Sequence, residues 1–136
     1  MSPSLVTLTG NRERHGAALG VVFEIDVPEV VPSLNILLRR HWMQRRKIAK
    51  RWEWIMLASR PNPYVAPSIA RVTITRFSRG TLDVDNLYGA AKLVVDALKV
   101  VGLIVGDEPK VLELTCGQQR EFMPHTEIVI EAVSGC

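Results

Sequence analysis

Hydrophobic and polar positions along this chain change period several times, and each change marks an element. Gly20 to Val27 (GVVFEIDV) is rich in β-branched residues and ends in alternation, the pattern of a strand, and Pro28 and Pro32 stop it. From about Leu37 to Ser59 the spacing is helical, with Ile48, Trp52, Ile55 and Ser59 along one narrow stripe. Ser33 or Asn35 stands ahead of it to accept the first unpaired N–H groups. Pro61, Pro63 and Pro67 exclude a regular element from Arg60 to Pro67. Ser68 to Ser78 (SIARVTITRFS) alternates with apolar residues on both faces, which predicts a central strand. From Asp85 or Asn86 to about Val101, Leu87, Ala90, Ala91, Val94, Val95, Leu98 and Val101 build a broad apolar helical face, and Gly102 is its natural stop. Val111 to Phe122 reads as a strand, paired after a bend at Met123 and Pro124 with another over His125 to Val133.

The order β-α-β-α-β-β predicts an α/β (α+β) fold, a mixed β-sheet packed with two main helices in a single small domain over residues 19–136. Met1 to Ala18 is polar and without period, so it reads as a flexible leader with no assigned function. A chain of 136 residues suffices for one core, and it shows no internal repeat.

Composition adds three constraints. Cys116 and Cys136 lie far apart without companion Cys/His spacing, which suggests neither a zinc site nor a disulfide framework and points to a reducing, cytoplasmic setting. No apolar run reaches the ~18 residues of a membrane span, and no secretory signal opens the chain. The net charge is only +3, but the cations are concentrated: Arg39, Arg40, His41, Arg45, Arg46, Lys47, Lys50 and Arg51 crowd the first two-thirds of the long helical segment.

The acidic counterpart is Asp83-Val84-Asp85-Asn86, followed by Lys92, Asp96 and Asp107. Asp83 and Asp85 stand two apart, so in extended backbone their carboxylates point the same way, as two ligands of one hard divalent cation must. A helix-capping Asp beside a solvated one explains the same pair with no chemistry at all. Asp85, Gly89, Lys92 and Asp96 follow helical spacing on one polar stripe. Helical side chains lean toward the N-terminus, so Lys92 is expected to reach back over Gly89 toward Asp85, with Asp96 orienting it. Asp107, in a turn before Pro109, is expected to return beside the starting end of that helix.

These residues resemble the RusA family of Holliday-junction resolvases, especially phage and prophage forms. The resemblance covers most of the chain after the leader: Pro32-Ser33-Leu34-Asn35, Asp83-Val84-Asp85-Asn86, Lys92, Asp96-Ala97-Leu98, Gly102, and Asp107 ahead of Pro109-Lys110-Val111. It implies that Asp83, Asp85 and Asp107 bind the metal, Mg²⁺ with Mn²⁺ as substitute, and that Lys92 is the catalytic lysine. It also implies a homodimer that nicks two strands of four-way or branched DNA symmetrically. Lys92 follows Asn86 by six residues where the best-known members have three. An inserted helical turn of this length moves the lysine by about 4.5 Å yet keeps nearly the same face. Gly106-Asp107 stands where the family usually has two acids, and Glu108 follows, so Glu108 is an alternative to Asp107.

The expected function is therefore a metal-dependent endodeoxyribonuclease that resolves Holliday junctions, with Asn35, Arg39, Arg40, Arg45, Arg46, Lys47, Lys50, Arg76 and Arg79 as the DNA-binding surface. The alternative is a non-catalytic branched-DNA-binding protein whose acids only cap and solvate. A nucleotide-directed phosphoryl enzyme lacks its phosphate loop, since no GxxxxGK[ST] is present. Trp52 is expected in the core, while Trp42 and Trp54 stay open between packing and base stacking. His15, His41 and His125 are dispersed and are assigned no role.

Overall fold

The structure is a computed structural model that describes residues 5–9 and 18–134. Eight elements follow in order: β1 (Leu5–Thr9), β2 (Ala18–Val27), α1 (Leu34–Arg39), α2 (Trp42–Ser59), β3 (Ala70–Ser78), α3 (Val84–Val100), β4 (Leu112–Arg120) and β5 (His125–Val133). They form the expected α+β layer, one mixed sheet packed with helices. The strand order is β1-β4-β3-β5-β2, with β3 parallel to β4 and the other pairings antiparallel. As its two-sided apolar pattern predicts, β3 lies at the centre.

Three expectations are corrected. Within the stretch read as a leader, Leu5–Thr9 is a strand on the sheet edge, in register with Thr115–Gln119 of β4. The rest of that leader, with His15, and Cys136 lie outside the described residues. The long basic helix is two helices, because Arg40 and His41 are extended: Arg40 closes α1, and the His41 ring Nδ1 accepts from the Met43 N–H to open α2. The third correction concerns β4 and β5, which do not pair with each other. Both pair with β3, one on each side, and the Glu121–Pro124 link passes around its C-terminal end, where the Glu121 N–H donates to the Ser78 carbonyl. The gap bridged is two strand spacings, about 9.6 Å, within reach of four residues.

One sheet face carries the core. Val72 and Ile74 of β3, Leu114 and Cys116 of β4, and Ile128 and Ile130 of β5 are buried in a single cluster with the apolar stripes of the helices. From α2 the contribution is Trp52 and Met56, and from α3 it is Leu87, Ala90, Ala91, Val94, Val95, Ala97 and Leu98. Helix α3 ends as its sequence predicts, with Gly102 at φ +78 and the Leu103 N–H donating to the Leu98 carbonyl at 2.9 Å, a glycine-closed C-terminus. The opposite sheet face presents Arg71, Thr73 and Thr75 beside Glu113, Thr115, Glu127 and Val129, and Arg71 pairs with Glu113 at 2.7 Å.

Candidate functional site

Asp83 is the N-cap of α3. Its extended backbone lets Oδ1 accept from both the backbone N–H and the Nδ2 of Asn86, each at 2.9 Å. Asp85 follows in the first turn and is exposed, where a carboxylate complements the partial positive charge of the helix start. The loop that delivers them is fixed from below by Gln118 of β4. The Leu82 N–H donates to Gln118 Oε1 at 2.8 Å, and Gln118 Nε2 donates back to the Leu82 carbonyl at 2.7 Å. Gln118 is buried, so this two-way clasp replaces water at the loop's backbone. Sequence reading missed Gln118; the available signal was a polar residue continuing the inward alternation of Leu112, Leu114 and Cys116.

Asn86 also joins two distant stretches. Its Oδ1 accepts from the Asn35 N–H at 2.8 Å, which ties the start of α1 to the start of α3. The basic segment therefore leaves from beside the acidic cap. Arg39, Arg40, Arg45, Arg46, Lys47 and Lys50 are all exposed. Arg51 is committed to Glu29, which accepts from Nε and Nη2 at 2.6–3.0 Å.

Arg76 is half-buried. The alternation of β3 puts it on the same face as Val72 and Ile74. There it lines a cavity of about 20 Å³ with Ile74, Leu87, Ala90, Val94 and Thr126. Among the described residues its Nε has no hydrogen-bond partner, and burial pulls its pKa below the usual guanidinium value. Arg79 is exposed, with its guanidinium stacked 4.2 Å from the centre of the Phe122 ring.

Lys92 does not reach back to Asp85. Its ammonium lies 3.5 Å from Asp96 Oδ1 and 3.5 Å from Asp107 Oδ2, and Lys99 approaches the same Asp107 oxygen at 3.5 Å. Asp107 thus returns beside the Lys92–Lys99 part of α3, further along than the starting end, because buried Leu103 and Ile104 pin the chain after the Gly102 turn. Partial burial alone would lower the Lys92 pKa, but Asp96 and Asp107 outweigh it and raise it. The same balance is reversed at Asp107: burial would raise its pKa, and Lys99 and Lys92 hold it below the usual carboxylate value. Lys92 and Asp107 rim a cavity of about 220 Å³, walled by Tyr88, Pro109, Val95, Leu112 and Leu114.

Asp83, Asp85 and Asp107 do not form a set of ligating atoms within 4.8 Å of one another. Among the described residues, that criterion is met by Asp26, His125 and Glu127 instead. This group sits on the polar sheet face. His125 Nδ1 is 2.7 Å from Asp26 Oδ1, Nε2 bonds to Glu121, and the ring stacks on Phe77 at 4.2 Å. Burial alone would lower the His125 pKa, but the bonds to Glu121 and Asp26 prevail and raise it. The dispersal of histidines along the sequence concealed this group, which only the register of β2 against β5 assembles.

Asp83 is extended whereas Asp85 lies in the first helical turn, so the two carboxylates are not set parallel by extended backbone as expected, although each offers an exposed hard oxygen. Mg²⁺ is commonly held by one or two carboxylates, with water and substrate phosphate filling its other positions. No helix among the described residues is long and apolar enough to cross a membrane. No protein-family model matches the chain, and a search of curated proteins finds no match either.

Proposed function

We propose that the chain is a Mg²⁺-dependent, structure-specific endodeoxyribonuclease of the RusA type, acting as a homodimer that nicks four-way or branched DNA in the cytoplasm. The observation that carries this reading is the hydrogen bond from the Asn35 N–H to Asn86 Oδ1, 51 positions apart. It joins the two motifs on which the resemblance rests and sets an acidic helix start beside a row of exposed cations. Such cations offset the repulsion between carboxylates and a DNA backbone and supply most of its affinity.

In this reading Asp83 and Asp85 hold the cation, with Mn²⁺ as substitute. The chemistry supplied by a bound Mg²⁺ is polarisation of the scissile phosphate and a lowered pKa of its water. Lys92 presents positive charge on the same stripe of α3 as Asp85, suited to the extra negative charge of a phosphorane-like transition state. Asp107, held between Lys92 and Lys99, keeps the Lys92 ammonium in place. Exposed Asn35, Arg39, Arg40, Arg45, Arg46, Lys47 and Lys50 bind phosphates.

The second reading, a branched-DNA-binding protein without catalysis, is favoured by the capping bond of Asp83 and by the distance of Asp107 from the other two acids. A synthetic four-way junction separates the two readings. Paired nicks are expected in Mg²⁺ and none in EDTA, and Asp83→Asn is expected to bind the junction as wild type does while nicking at least about a hundredfold more slowly. Undiminished nicking by that variant refutes the endonuclease reading, and binding without metal-dependent nicking by wild type supports the second.

A further inference from the structure

We propose that the outward face of α2 is a platform for unpaired nucleotides, with Trp42 and Trp54 stacking on bases and Arg46, Lys47 and Lys50 holding the phosphates between them. The three tryptophans of this helix have opposite fates. Trp52 is 1 % exposed and part of the core, whereas Trp42 is 57 % and Trp54 69 % exposed. Large aromatic surfaces left in water, with Met43 and Leu57 beside them, mark a surface that binds something. The side chains of Trp42, Met43, Arg46, Lys47, Lys50 and Trp54 enclose a groove of about 670 Å³.

Helical geometry orders these groups. Trp42 and Trp54 stand twelve residues apart, about 18 Å along the axis, and at 100° per residue their directions differ by about 120°. Arg46 and Lys50 fall between those two directions and Lys47 just beyond Trp54, all on the side away from Trp52 and Met56. Aromatic rings at the ends with cations between them are what a single strand needs, since every base has a stackable face and every linkage a negative charge. Among the described residues, Arg46 and Lys47 are in no ion pair, and Lys50 has only Glu53 at 3.6 Å.

The same charges decide against two other occupants. A second copy docking by this face across a two-fold axis presses Arg46, Lys47 and Lys50 toward their own equivalents. A helix lying in a membrane surface segregates its apolar side from its cations, but here the cations sit in the middle of the aromatic face. The platform takes from the proposed function only the choice of DNA as the source of unpaired nucleotides; it does not involve the carboxylates.

The test uses the full chain and a fluorescently labelled oligothymidylate of about 16 nucleotides, with a blunt duplex and a ribo-oligonucleotide of equal length, and phosphatidylserine vesicles. The oligothymidylate is expected to quench the tryptophan emission of the wild type. By anisotropy, Trp42→Ala/Trp54→Ala is expected to bind it at least about tenfold more weakly, with duplex affinity within about twofold of wild type. Trp42→Phe/Trp54→Phe should retain most single-strand binding, and the mass by light scattering should be the same for all three proteins. Unchanged single-strand affinity in the alanine variant, or an equal loss on duplex, overturns the platform. So does a smaller mass for that variant, or vesicles binding more tightly than the oligonucleotide. Tighter binding of the ribo-oligonucleotide keeps the stacking but overturns DNA as its source. Nicking is read separately, on the wild type: nicking without single-strand binding refutes the platform alone, and single-strand binding without nicking refutes the endonuclease reading alone.

Discussion

At the scale of single residues, two side chains have physical roles that precede any function. Asp83 caps α3, and Asn caps a helix as well as Asp does. Asp83→Asn should therefore keep the melting temperature while removing a carboxylate, whereas Asp83→Ala should lose about 1 kcal/mol as well. That contrast separates a lost cap from lost chemistry in the junction assay. His125 carries a pH dependence. Its bonds to Glu121 and Asp26 raise its folded pKa above the unfolded value of about 6.5. The stabilisation is thus fully present below that unfolded value and is lost as pH rises through the raised folded one. In EDTA, the melting temperature of the wild type should fall relative to His125→Gln as pH rises above about 6.5; parallel profiles would refute the pairing. The acids facing this ring are Asp26, Glu121 and Glu127; Asp26 and Glu121 bond to it, so replacing either should shrink the difference. The sequence shows Asp83 as cap or ligand but hides both Gln118 and the His125 group, because each depends on strand register rather than on local spacing.

At the scale of elements, α3 is the most legible part of the chain. Its apolar stripe is broad and uninterrupted, and Gly102 ends it by a backbone conformation that other residues rarely adopt. The stripe is also where stability concentrates: Leu98 is fully buried, and Leu98→Ala should cost 2–5 kcal/mol by denaturant titration. A cost below about 1 kcal/mol would mean that the helix does not pack as described. The break between α1 and α2 is hidden because Arg40 and His41 carry no strong stop signal, and the cap is made by a histidine ring rather than by Ser, Thr, Asp or Asn. The false hairpin of β4 and β5 has a related cause. A four-residue link after a strand looks the same whether the next strand lies beside it or one place further on, and only the pairing of β3 with both decides.

For the whole molecule, the arrangement of charge matters more than its sum. A net +3 is small, but the exposed cations run along α1 and α2 while Asp83 and Asp85 stand at the start of the neighbouring α3. In the proposed reading, junction affinity should fall steeply with salt, and replacing Arg45, Arg46 and Lys47 with Gln should lower the slope of log affinity against log salt by about 2–3. An unchanged slope would move the DNA to another face. The fold class was readable because periods of 2 and 3.6 alternate cleanly along the chain. The site was readable only in part, since the sequence names the acids and the lysine but not the bend that carries Asp107 to Lys92 and Lys99 instead of to Asp83.

The central place of β3 also has a consequence for the order in which the molecule assembles. Among the described residues β2 has a single strand partner, β5, and β5 is also what covers one side of β3. On a ribosome, residues 18–27 emerge early and wait for residues 125–133. Until then Leu19, Val21 and Val22 belong to a strand with nowhere to bind, and the middle of the sheet is bare along one flank. Closure over such separations is slow and leaves unpaired edges open to other chains. The nine residues of β5, made long after β2, thus set how long the nascent chain is exposed to aggregation and to chaperones.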